Sequence, residues 1–286
     1  MAGDVQSQGF GARVAAAIDR TGPLCAGIDP SDALLEAWGL DHDAAGLREF
    51  GTRCVEAFAG VVPVVKPQVA FFERFGAAGI AVLESLIREA QAAGLLVIAD
   101  AKRGDIGSTM EAYASTWLDP RSPLYADAVT ATPYLGLGSL QPMFDLASEH
   151  GGGVIVVVRT SNPEGRALQE SLTDSGRGPA VEDMLLGRIA ELNAGGLPLP
   201  GTVGAVVGAT LAPSAFPLSS LGGPILAPGV GAQGATADDV GRLFSGCKPG
   251  SVLASSSRSL LATGPEPSSL RAAALASRDE MAAALG

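Results

Sequence analysis

Residues 95–110 read LLVIADAKRGDIGSTM, an apolar run that passes without transition into Asp100, Lys102, Arg103 and Asp105. Charges rarely sit at the end of a buried segment without partners, so the run and its ending call for one explanation. An aliphatic run with no polar alternation is what a parallel sheet covered on both faces produces. Comparable runs recur at 24–29, 61–66, 128–132, 153–160, 202–208, 224–228 and 251–255, making eight expected strands with that at 95–102. Helix-compatible stretches fill the spaces at 32–40, 45–60, 79–94, 138–152, 180–196 and 236–247. Eight strands alternating with helices point to an α/β fold, a (β/α)8 TIM barrel forming one domain over residues 1–286. A doubly wound open sheet is the alternative, although no G-x-G-x-x-G follows the first strand. A polar insertion is expected at about 162–179 (NPEGRALQESLTDSGRGP), and a C-terminal helix at about 270–285.

The bulk properties suit such a core. Of 286 residues 47% are apolar and only 5% aromatic, which favours a large aliphatic interior over a disordered chain. A formal charge of −11 argues against nucleic acid or an anionic membrane as partner, but leaves room for an anionic ligand held by local positive charge. Cys25, Cys54 and Cys247 are odd in number and lack C-x-x-C spacing, so a reduced, cytoplasmic setting is expected. His42 and His150 are too isolated to suggest zinc. No signal peptide is expected at the start, and the longest aliphatic runs are far too short to span a bilayer.

In a strand, residues two apart face the same way, so Asp100 and Lys102 should converge. Barrel enzymes keep their active sites at the C-terminal ends of the strands. Asp29, Lys66, Asp100, Lys102, Ser161 and Arg258 all fall there, and six such residues on one rim suggest a site. A set of alternating lysines and aspartates offsets its own burial cost. It could be a network that merely fixes the barrel mouth. It could also hold a protonated lysine ready to donate to a reacting carbon. PGVGAQGA at 228–235, with Arg258 in SSSRS, fits a phosphate site after the seventh and eighth strands, Gln233 adding a neutral donor.

DAKRGDIGST with Asp100 leading, VVKPQ, RTSN, APGVGAQG and SSSRSL together resemble the orotidine 5′-phosphate decarboxylase family, in its longer bacterial form. The resemblance runs in order from Asp29 to Arg258. It implies conversion of orotidine 5′-phosphate to UMP and CO2 in pyrimidine biosynthesis, with no metal and no cofactor. It further implies that Lys102 protonates C6 and that Asp100 sits against the substrate carboxylate. By the same resemblance Lys66 and Asp105 would complete the charge array, and Asp29 and Lys66 would contact ribose. Ser161 would meet the pyrimidine amide edge, and Gln233 and Arg258 would meet phosphate. Asp105, Ile106 and Thr109 are implied to reach the partner's site in a homodimer with shared active sites. D-x-K-x-x-D also resembles magnesium-dependent sugar-phosphate decarboxylases and hexulose-phosphate synthases. A non-catalytic barrel that binds a phosphorylated ligand is the reading from another class.

Overall fold

The computed structural model describes residues 8–195, 201–231 and 234–286. The apolar runs become eight strands: β1 (Leu24–Ile28), β2 (Val64–Pro67), β3 (Leu96–Arg103), β4 (Ala128–Ala131), β5 (Gly153–Arg159), β6 (Val203–Val207), β7 (Ile225–Pro228) and β8 (Val252–Ser256). They pair in sequence order, and β8 pairs in parallel with β1, so the sheet is a closed barrel and not an open doubly wound sheet. The outward faces pack under the helices, while Cys25, Val64, Ile98, Ala128, Ile155, Val206, Leu226 and Leu253 form an apolar layer inside. Every strand contributes one residue to that apolar cluster, which fills the barrel interior with side chains as the period-two alternation of the strands allows.

The bottom of the barrel is closed by a helix absent from the expected set, Phe10–Thr21. Its Phe10, Val14 and Ile18 join the interior layer. Phe10 is fully buried, and a Cβ on Gly153 would lie 2.3 Å from its ring. The glycine that opens β5 is therefore the space the aromatic plug occupies.

Three boundaries differ from expectation for local reasons. The strand expected from residue 61 starts at Val64, because Val61 and Val62 still close the turn of the preceding helix through bonds to the Phe58 carbonyl. The link from β6 to β7 carries only a 3-10 turn, Leu218–Ser220, so the strict alternation with helices fails there. Pro213 and Pro217 lie in that link, and proline removes the amide a helix needs. The final helix runs Pro267–Leu285, starting earlier than expected with proline in its first turn. The polar insertion at 162–179 is built of short turns, Pro163–Gly165, Arg166–Gln169 and Asp174–Gly176, closed by a bridge between Leu172 and Ala180. Among the described residues no helix is long and apolar enough to cross a membrane.

Replacing the plug with Phe10→Ala removes a fully buried ring, and among the described residues the interior cluster holds no other aromatic to take its place. The expected cost is about 3–5 kcal/mol of unfolding free energy. Denaturant titration of the two proteins measures it.

Candidate active site

The site grows out of the apolar layer by simple counting. Two residues beyond Val64, Ile98, Ala128 and Leu253 stand Lys66, Asp100, Thr130 and Ser255, all buried. Four residues beyond Cys25, Val64, Ile98 and Leu253 stand Asp29, Gln68, Lys102 and Ser257. Period two thus stacks a polar layer, then a charged rim, on an oily floor. By the same counting Gly27 and Gly208 are members of this polar layer without side chains, two residues beyond Cys25 and Val206. At Gly27 the missing side chain leaves room for a neighbour. A Cβ there would lie 2.5 Å from that of Ser257, whose hydroxyl donates to Asp29.

Asp100 is the centre. Its Oδ2 accepts from Lys66 Nζ at 2.8 Å and Gln68 Nε2 at 2.9 Å, and its Oδ1 from Lys102 Nζ at 2.5 Å and the Thr130 hydroxyl at 2.9 Å. A carboxylate has about four acceptor positions, so this one is saturated. Burial alone would raise the Asp100 pKa, but the charges of Lys66 and Lys102 and their hydrogen bonds outweigh it and hold the acid well below the usual carboxylate range. Burial likewise works against the charge on Lys66. Asp100 and Asp29 overcome it and push the lysine above its ordinary value. The Cys25 thiol, in the apolar layer beneath, is pushed up to about 12 by burial.

Lys102 reaches Asp100 by a route that strand alternation does not describe. The pairing of β3 with β4 shifts register between Ala99 and Arg103, and Lys102 adopts a left-handed backbone, φ 49°. For a non-glycine residue that costs about 1–2 kcal/mol. The Lys102 amide donates to Thr130 Oγ1 at 2.9 Å, and its carbonyl accepts from Thr132 Oγ1 at 3.3 Å. The expected convergence of Asp100 and Lys102 is present, but it depends on this clasp. The Lys102 side chain is 48% exposed against 9% for Lys66, so of the two lysines on Asp100 it is Lys102 that stands more open to the cavity.

Asp29, Lys66, Asp100, Lys102, Ser161 and Arg258 all line one cavity of about 360 Å³ at the C-terminal ends of the strands. Asp29 Oδ1 is buried there without a hydrogen-bond partner among the described residues. Asp105, Ile106 and Thr109 do not line it. They sit on the turn and first residues leading into the helix Gly107–Leu118, where Asp105 accepts from the Ile106 amide and Ile106 is 62% exposed. Gln233 lies outside the described residues. Gln68, Thr130 and Ser257 were not foreseen as site residues. Gln68 and Ser257 lie inside stretches already singled out, but only the closed barrel gives them a direction. A larger cleft of about 940 Å³ runs between the helices Gln141–His150 and Val181–Ala194, outside the barrel. Its walls are chiefly apolar and its Arg188 and Glu191 pair with each other, so it lacks converging charge.

The sequence profile of the orotidine 5′-phosphate decarboxylase / HUMPS family matches residues 22–273. The chain belongs to this family. The orotidine 5′-phosphate decarboxylase of Salinispora tropica is 54% identical over 267 residues, covering 93% of this chain and 95% of its own. That of Streptomyces coelicolor is 52% identical over 265 residues, covering 93% and 94%. A crystal structure from Streptomyces avermitilis that carries the same name provisionally superposes with a TM-score of 0.92 at 50% identity, covering 97% of this chain and 96% of its own. In family terms the array on β2 and β3 is thus seated in a decarboxylase barrel over almost its whole length.

The shifts give the site a signature in stability. Asp100 lies below its unfolded value, so its contribution is complete above about pH 4 and is lost as pH falls. Lys66 lies above its unfolded value, so its contribution is complete below about pH 10 and is lost as pH rises through the folded value. The stability gap between the parent protein and Asp100→Asn should therefore be widest near neutrality and narrow below about pH 4. Urea unfolding across that range checks it.

Proposed function

We infer that this chain decarboxylates orotidine 5′-phosphate to UMP and CO2 in pyrimidine biosynthesis, with Lys102 as the proton donor. The observation that carries the residue assignment is Asp100 held between Lys66 and Lys102, at 2.8 and 2.5 Å, on the floor of a cavity that Arg258 also lines. In the proposed step the bond from C6 to the carboxyl carbon breaks and its electron pair stays on C6. CO2 departs neutral, and Lys102 Nζ delivers a proton to C6. Lys102 then regains its proton from water. A fixed cation where negative charge develops is the stabilisation a protein can supply to such a carbon. Asp100 faces the substrate carboxylate, a repulsion of about 4 kcal/mol at ~4 Å and an effective dielectric near 20, which vanishes as neutral CO2 forms.

The remaining roles follow the cavity outward. Asp29 and Lys66 hold ribose hydroxyls, the unpartnered Asp29 Oδ1 supporting this assignment. Ser161 meets the amide edge of the pyrimidine. Arg258 and Gln233 hold phosphate, whose remote binding helps to assemble the array. No metal or cofactor takes part in this reading. The magnesium-dependent alternative needs carboxylate oxygens with open lone pairs, and those of Asp100 are filled by protein donors. Three free cysteines suit a reducing, cytoplasmic compartment.

The decisive test is loss of orotidine 5′-phosphate followed spectrophotometrically, with and without EDTA. The parent protein should turn over equally in both. Lys102→Ala should show no measurable turnover while still binding UMP. Activity that EDTA abolishes and magnesium restores would favour the sugar-phosphate chemistry. UMP binding without turnover in the parent would favour the non-catalytic barrel.

We further propose a homodimer in which Asp105, Ile106 and Thr109 complete the partner's site. Their position outside their own cavity supports this, as does the exposure of Ile106. A two-fold dimer then has two equivalent composite sites. Lys102→Ala and Asp105→Ala, each inactive alone, should complement when dissociated and mixed. With random pairing about half the dimers are mixed, and one site in each carries no lesion, so about a quarter of all sites should recover. With subunit exchange verified separately, no recovery would place Asp105 in its own barrel.

A further inference from the structure

The geometry points to Thr130 as the positioning residue that sets Lys102 for proton delivery, an assignment that rests on the reading of Lys102 as proton donor. Thr130 is on β4, is fully buried and does not line the substrate cavity. A threonine at a barrel-interior position needs a hydrogen-bonding reason, because an unpaired hydroxyl there is costly. Its single oxygen performs two jobs at once. It donates to Asp100 Oδ1 at 2.9 Å and accepts from the Lys102 amide at 2.9 Å.

Those two bonds meet at the one place where the array is not held by regular sheet. Between Ala99 and Arg103 the ladder to β4 slips, and the Lys102 amide goes to the threonine side chain. The same oxygen therefore fixes the backbone of the acid's neighbour and one oxygen of the acid itself. It couples the direction in which Lys102 leaves the strand to the orientation of the Asp100 carboxylate. The left-handed φ of Lys102 is retained because surrounding bonds over-determine it, and Thr130 supplies the one on its N–H.

Valine has the shape of threonine without the hydroxyl, so Thr130→Val deletes both bonds with little change of volume. With the bridge gone, Lys102 and Asp100 lose their common reference and Lys102 Nζ is misplaced relative to C6. Phosphate and ribose contacts come from other strands and stay in place. The expected result is a kcat lowered between about 10- and 100-fold, the scale of an ångström-level misplacement. KM for orotidine 5′-phosphate and Kd for UMP should stay within about threefold of the parent, since those contacts are unchanged. Thr130→Ser keeps the hydroxyl and should return kcat to within a few-fold of the parent.

The experiment measures kcat, KM, UMP affinity and thermal melting for the Val, Ala and Ser variants beside the parent and Lys102→Ala. A kcat split from KM in Val and Ala, with rescue by Ser, supports the assignment. Parent-like kcat in Val overturns it, and so does a Ser variant as slow as Val. Loss of fold in both Val and Ala, with Ser intact, would assign the hydroxyl to stability alone and also overturns it. Failure of the underlying reading looks different: a parent without turnover, or an active Lys102→Ala, would discard the proton-donor role whatever Thr130 does.

Discussion

A carboxylate buried under a barrel mouth is tolerable only if its lone pairs are spoken for, and Asp100 meets that condition from three strands. Lys66 comes from β2, Lys102 from β3 and Thr130 from β4, with Gln68 arriving just past the end of β2. Removing any one donor leaves a buried carboxylate oxygen short of a partner, which costs more than the net worth of the bond. The cluster therefore constrains the mutual placement of three strands as well as the chemistry above them. The barrel mouth and the candidate site rest on the same set of bonds.

That constraint explains why polar groups appear where they do along each strand. The floor is apolar because Phe10 and the interior layer exclude water from below. The next interior positions carry Lys66, Asp100, Thr130 and Ser255, and these buried groups, with the third tier above them, form the floor and wall of the cavity, Thr130 alone of the four standing behind it. Charge stacked on oil in this way keeps the local dielectric low, so the field of Lys102 at a bound ligand is stronger than it would be in water. The two lysines also differ in exposure. Lys66 is nearly enclosed and reaches the cavity over a small part of its side chain, whereas Lys102 is half-exposed.

Where backbone and side chain disagree, the chain bends to the site. Regular β geometry would pair Lys102 with β4 through its amide. Instead the ladder slips and the residue takes a left-handed conformation, with Thr130 and Thr132 holding its amide and carbonyl. A second slip, between Val157 and Arg159 on β5, accompanies a buried pair of Arg159 with Glu182 of the helix Val181–Ala194. Irregularities of this kind cluster beside active sites because they re-aim side chains that a uniform strand would point elsewhere.

The eight strands, the buried character of their sheet and the placement of Asp29, Lys66, Asp100, Lys102, Ser161 and Arg258 at one rim were legible in residue order alone. Hydrophobic runs and their charged ends are local signals, and period two carries a side chain's direction along one strand. The sequence could not decide that the sheet closes on itself, because closure depends on β8 finding β1 across more than two hundred residues. Nor could it assign Gln68, Thr130 and Ser257, whose neighbours lie on other strands, or Phe10, whose role exists only once a barrel has a floor to plug. The direction of Lys102 is the plainest case. Alternation predicted that it would meet Asp100, but the conformation that brings it there is set by a threonine 28 residues away, and that contact belongs to tertiary structure.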